Sequence, residues 1–149
     1  MISNEQKFLN YKEQFIRLNR AISNSYNLEA IFIAYFIIED RTKAILIHIN
    51  KYEAYLKKYK NKPSLHTKIR YIQKNMENDK LLKRYFSDEV FDEILKWKDL
   101  RNDMVHDLLN QKITSQDLAD LACAGRGLAK QLRNKTTNHR NALSRQTKI

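Results

Sequence analysis

Arg101, Asn102 and His106 are the residues of this chain best suited to chemistry, and they read R-N-x-x-x-H. The segment around them has helical periodicity. Val90, Ile94, Trp97, Met104 and Leu108 recur at steps of about four and three, which places them on one helix face. Arg101 fills the missing place in that stripe. A neighbouring stripe runs Phe91, Leu95, Lys98, Asn102, His106 and Leu109, so Asn102 and His106 stack one turn apart beside Arg101. A lone charge on an apolar stripe is costly, so such an arginine is usually paired or used. Grouped in this way, Arg, Asn and His can handle a phosphodiester. The alternative is structural: Arg101 salt-bridged to an acid of the second helix, and His106 a satisfied core side chain. Chance matches to this six-residue pattern number about 0.03 in a chain of this composition, so the motif carries weight.

The elements that must position these residues are helical. With two Gly and one Pro in 149 residues, helix punctuation is scarce. Asn4 to about Ser23 carries Phe8, Tyr11, Phe15, Leu18 and Ile22 at helical spacing. A second helix begins at Asn27 and runs to about Ile49; it is apolar nearly all round in its first half and therefore central. The stretch after Lys51 reads as its continuation up to the break at Asn61-Lys62-Pro63. Ser64 caps a third helix through about Asn75. A short helical piece follows from Lys80 to Phe86. Ser87, ahead of Asp88 and Glu89, caps the fourth main helix, which carries the motif to about Leu109. Thr114 with Asp117 forms a capping box for a fifth helix ending near Lys135. The expected architecture is all-α, an up-down bundle of about five helices forming one domain over residues 1–135. Residues 136–149 lack apolar periodicity and read as a flexible, disordered basic tail.

Charge points to a polyanionic partner. The formal net charge is +11. Residues 51–74 hold eight Lys or Arg against the single acid Glu53, with Tyr52, Tyr55, Tyr59 and Tyr71 interleaved. Basic side chains neutralise phosphates and aromatic faces stack unpaired bases. The candidate RNA-binding residues are therefore Lys98, Tyr52, Tyr55, Lys57, Lys58 and Tyr59. A solvated basic surface over half-buried tyrosines is the plainer reading, and an acidic protein would be drawn by the same field.

Other chemistries find little support. One cysteine, Cys123, excludes an intramolecular disulfide and suits the cytoplasm; its Leu-Ala-Cys-Ala setting reads as small-residue helix packing. No Cys/His spacing suits zinc, no H-E-x-x-H occurs, and there is no Gly-rich phosphate loop, so no metal or cofactor is expected. His48, His66 and His139 stand alone. The apolar run from Ile31 to Ile38 is too short to span a bilayer, so no membrane partner is expected.

The helical layout, with Arg101-Asn102 and His106 late in the chain, resembles the HEPN domains of prokaryotic toxins and defence nucleases, whose signature is R-x(4–6)-H, often with Asn after the Arg. Glu39-Asp40-Arg41-Thr42-Lys43-Ala44-Ile45-Leu46 is similar to the E-x-x-x-K-A-L-L stretch of HEPN second helices. The resemblance covers roughly residues 28–110. It implies a metal-independent endoribonuclease that works as a homodimer, with the motif helices meeting in one composite cleft. Arg101 and His106 would be catalytic, Asn102 would position the phosphate or orient a neighbour, and Glu39 and Lys43 would support Arg101. Such proteins often have a cognate antitoxin. Many carry H-x-Y, with the tyrosine modified by the partner; here His106-Asp107-Leu108 has none. A catalytically silent RNA-binding module and a helical interaction protein or antitoxin are the other readings the residues allow.

Overall fold

In a computed structural model, residues 3–110 and 112–147 are described, and every regular element among them is helical. The helices are α1 (Asn4–Ser23), α2 (Asn27–His48), α3 (Tyr52–Lys58), α4 (Leu65–Met76), α5 (Lys80–Tyr85), α6 (Asp88–Asp107) and α7 (Ser115–Gln146), with a single 3₁₀ turn at Leu108–Asn110. The count is thus seven where five were expected. Two of them are short: α5, which matches the short piece expected from Lys80 to Phe86, and α3, which was expected as a continuation of the second helix. Asn50 explains α3: its φ of 58° ends α2, and the Lys51 N–H reaches back to the Leu46 carbonyl at 2.9 Å. Left-handed backbone is cheaper for Asn than for most residues, so the chain breaks there and does not run on.

The ends expected from local chemistry are made as expected. Ser64 Oγ accepts from the Thr67 N–H at 3.1 Å and Thr67 Oγ1 answers to the Ser64 N–H. Ser87 Oγ accepts from the Val90 N–H at 3.4 Å. Thr114 and Asp117 exchange backbone-to-side-chain bonds of 3.0 and 3.1 Å, a reciprocal box.

Cα packing groups the chain into two units. The first takes in Met1–Ile37 and Trp97–Ala129. Its core contains Phe15, Leu18 and Ala21 of α1, Ala30, Ile31 and Ala34 of α2, Trp97 of α6, and Leu121, Ala122 and Ala129 of α7. The Trp97 indole N–H donates to the Leu121 carbonyl at 2.9 Å, which fixes the ring. Gly125 makes room for that ring: a Cβ there would drive into the indole and lie 3.2 Å from Ala34 Cβ. Gly125→Ala is therefore expected to lower stability by about 2 kcal/mol, overpacking of about 3 kcal/mol outweighing about 1 kcal/mol of helix propensity. Gly127→Ala, with open space around its Cβ, should raise stability by up to about 1 kcal/mol. Thermal melts of the two variants check the pair, and equal shifts would contradict the packing at Trp97.

The second unit takes in Ile38–Lys96 and Lys130–Ile149. Ile45, Leu46, Tyr55, Leu65, Ile69, Ile72, Leu82, Phe91, Ile94 and Leu132 are fully or almost fully buried there. The expected loose tail is corrected here: α7 continues to Gln146, and Thr136, His139 and Ala142 are buried. The stripe Leu132, Thr136, His139, Ala142 has helical spacing but half of it is polar, so hydropathy hides it. Thr136 satisfies its own hydroxyl by donating to the Leu132 carbonyl at 2.7 Å. The last residues of the expected tail, Lys148 and Ile149, lie outside the described residues.

His139 is fully buried, neither ring nitrogen has a hydrogen-bond partner, and the rings of Phe86, Tyr85 and His48 lie 5.5, 6.1 and 6.4 Å away. Burial lowers its pKa below the usual 6.5, against a smaller opposing pull from the Asp79 carboxylate. The unfolded chain thus takes up this proton before the folded one does. Stability should be unaffected by this group above about pH 6.5 and fall as pH drops below it, by up to about 1.4 kcal/mol per pH unit until the folded pKa is reached. Denaturant titrations across that window check it; His139→Leu should flatten the dependence, and an unchanged slope would contradict the assignment.

Candidate functional site

The motif belongs to the first unit, on the last turns of α6. The apolar stripes of α6 are buried as far as Trp97 and then emerge. Arg101, Asn102 and Met104 are half-buried, while Val105, His106 and Asp107 are exposed. Leu109, on the 3₁₀ turn, is 94% exposed. The acids Asp88 and Glu89 at the start of α6 and His106 at its end follow the helix dipole.

Arg101 is held without an acid. Its guanidinium lies 3.9 Å from the centroid of the Tyr35 ring, and its Nη2 donates to Asn102 Oδ1 at 2.8 Å. Tyr35 is itself stacked on Trp97 at 6.5 Å between centroids, so the packed indole supports the ring that supports the arginine. Arg101 Nε is buried and has no hydrogen-bond partner, and no carboxylate pairs with Arg101 among the described residues. Among the described residues Arg101 thus has no salt bridge, and His106 is exposed and not a core side chain. A guanidinium stacked on an aromatic face, with N–H groups left over, is prepared to donate to an incoming anion.

The other expected site residues fare differently. Arg101 and Asn102 are brought into contact; His106 follows Asn102 by one turn. Lys98 is half-buried and its Nζ pairs with Asp99 at 3.0 Å, which reduces its freedom to bind a phosphate. Glu39 and Lys43 belong to the second unit, where Glu39 accepts from Lys68 at 3.5 Å and Lys43 lies over the Tyr52 ring at 5.3 Å. Within that unit their partners are Lys68 and Tyr52.

Compared with family models, curated proteins and solved structures, the chain matches none.

The tyrosine-rich segment forms a nest in the second unit. Tyr55 stands at its centre, fully buried, with the rings of Tyr59, Tyr71 and Tyr52 at 5.1, 5.8 and 6.3 Å. Its hydroxyl shares a hydrogen bond of 2.7 Å with Thr67 Oγ1 and accepts from the Ser64 N–H at 3.2 Å. Tyr55 therefore ties α3 to the cap of α4 and has no face left for a base, a correction to its expected role in binding RNA. Tyr52 and Tyr59 are half-buried, and Lys57 and Lys58 are exposed. Two residues outside the expected set matter: Tyr35, which carries Arg101, and Tyr71, which together with Tyr59 carries Lys58. The sequence signal for Tyr35 was its position as the one phenol in an otherwise aliphatic and Phe-rich run.

No group of three or more His, Cys, Asp or Glu side chains suited to holding a metal occurs among the described residues, and no described helix is long and apolar enough to cross a membrane.

Proposed function

We propose that this chain is a metal-independent endoribonuclease of the HEPN type, acting in the cytoplasm as a homodimer whose motif helices form one cleft. The observation that carries the proposal is Arg101: half-buried, stacked on Tyr35, oriented by Asn102 and paired with no carboxylate among the described residues, with exposed His106 five residues on along the same helix. RNA brings its own nucleophile. The 2′-hydroxyl attacks the adjacent phosphorus, a bond to O2′ forms, and the bond to O5′ breaks. One His106 removes the 2′ proton and the second copy's His106 protonates the departing 5′-oxygen. Arg101 donates to the non-bridging oxygens as their charge grows. The products are a 2′,3′-cyclic phosphate and a 5′-hydroxyl.

The exposed apolar side chains support the dimer. Among the described residues, every large exposed hydrophobic apart from Ile47 belongs to the first unit, including the α2 stripe Leu28, Phe32 and Phe36, and Leu100, Val105 and Leu109 around the motif. Soluble monomers seldom leave so much apolar surface uncovered, and a second copy brings both the cover and the second His106. Phe32→Glu and Phe36→Glu, at 50% and 63% exposure, are expected to cost the monomer little and to shift the dimer toward monomer, with cleavage falling in parallel. Sedimentation velocity checks this; a monomeric wild type that cleaves fully would contradict it.

In biological terms the reading is a toxin or an antiviral effector that kills or arrests its host, held in check by a cognate antitoxin. Induced expression in a bacterial host tests it. Wild type should stop growth and His106→Ala should not. A wild type and a His106→Ala variant that stop growth equally would favour a non-enzymatic interaction protein.

A further inference from the structure

In the second unit, away in sequence from the motif, Lys58 lies over the tyrosine nest, and Lys74 stands one turn beyond Tyr71 on α4. Lys58 Nζ lies 5.6 Å from the Tyr59 centroid and 5.7 Å from the Tyr71 centroid, so both rings prop the same ammonium. The two rings meet edge to face at 6.2 Å, and both pack on buried Tyr55, which fixes the prop. Lys74, one turn beyond Tyr71 on α4, lies close enough that its charge lowers the pKa of Lys58. No carboxylate pairs with either lysine among the described residues. Two like charges held together on an exposed surface repel one another, and a shared anion turns that repulsion into attraction.

We infer that Lys58 and Lys74 together seat one phosphate of an RNA backbone, with Tyr59 and Tyr71 holding Lys58 in place. A phosphodiester offers two non-bridging oxygens, one for each ammonium. It also repeats along the strand, which suits the further cations of this unit, Lys43 over Tyr52 and exposed Lys57. A carboxylate of an acidic peptide also has two oxygens, so it is the repeat along the strand, met by these further cations, that favours RNA. The inference rests on the RNA reading for the identity of the anion and does not depend on cleavage.

The test is fluorescence anisotropy of a fluorescein-labelled oligouridine with the full chain, over a series of salt concentrations. Lys58→Gln/Lys74→Gln is expected to weaken binding about tenfold near physiological salt and to reduce the slope of log affinity against log salt by about 0.7, the value for one phosphate on a single strand. Lys58→Arg/Lys74→Arg, which keeps both charges, should bind as wild type does. Circular dichroism confirms that all variants keep their helices. Unchanged binding and slope in the Gln variant would overturn the site, as would a wild type that does not bind. A slope reduced by about 1.4 would show two phosphates and overturn the sharing. Displacement by polyglutamate as effective as by unlabelled oligouridine would assign the surface to an acidic protein. The readout is binding and not cleavage, so a chain that binds oligouridine through this pair but cuts no RNA would fail the nuclease reading and keep this site.

Discussion

His106→Ala is expected to reduce the rate of RNA cleavage by about 10²- to 10⁴-fold while leaving the melting temperature within about 2 °C of wild type. The rate effect is that of removing a general acid or base. The stability effect is small because His106 is exposed and has no packing to lose. In a dimer with two equivalent histidines, the shared cleft loses both its base and its acid at once, so the upper part of the range is expected. Single-turnover cleavage of a labelled RNA, with a thermal melt on the same preparation, separates the two quantities. A loss of activity that tracks a loss of helix content would assign His106 a structural role instead.

Arg101→Lys is expected to reduce cleavage by about 10²-fold or more, although the charge is kept. Lysine is a point charge on a flexible stem; it neither stacks on Tyr35 as a plane nor presents a fork to two oxygens. The effect should fall on turnover more than on RNA affinity, since the interaction strengthens as charge develops on the phosphate. Breaking a buried ion pair would cost about 3–5 kcal/mol of stability, and no such pair exists here, so stability should fall by far less. Tyr35→Phe keeps the aromatic face and should retain most of the activity. A large stability loss in Arg101→Lys would mean that the arginine is part of the scaffold.

What the sequence made legible was local. Ser64, Ser87 and the Thr114–Asp117 box announce helix starts because a capping side chain bonds a backbone amide within three residues, and the bounds of α1 follow from its stripe of apolar residues. Even in α1 the stripe was not uniform in fate: Phe15 and Leu18 are buried, whereas Phe8 is 68% exposed. The motif helix was readable for the same local reason, and its charged place in an apolar stripe marked Arg101.

What stayed hidden depends on partners distant in the chain or on polar residues doing apolar work. The last turns of α7 were missed because Thr136 and His139 occupy core positions that hydropathy assigns to the surface. Tyr55 looked like a stacking residue because composition cannot show that its hydroxyl meets Ser64 and Thr67, nine and twelve residues on. The support under Arg101 comes from Tyr35, sixty-six positions earlier, where spacing alone gives no hint of a partner. The break at Asn50 required a left-handed residue that no proline or glycine signalled.

The central claim is that Arg101 and His106 drive transesterification of RNA. The measurement that tests it most directly is cleavage of total cellular RNA by the purified chain in EDTA, with the ends of the products analysed, for wild type and His106→Ala side by side. The account predicts fragments carrying 2′,3′-cyclic phosphate and 5′-hydroxyl ends from wild type and none from the variant. Fragments bearing 5′-phosphate ends, or cleavage that persists in His106→Ala, would contradict it.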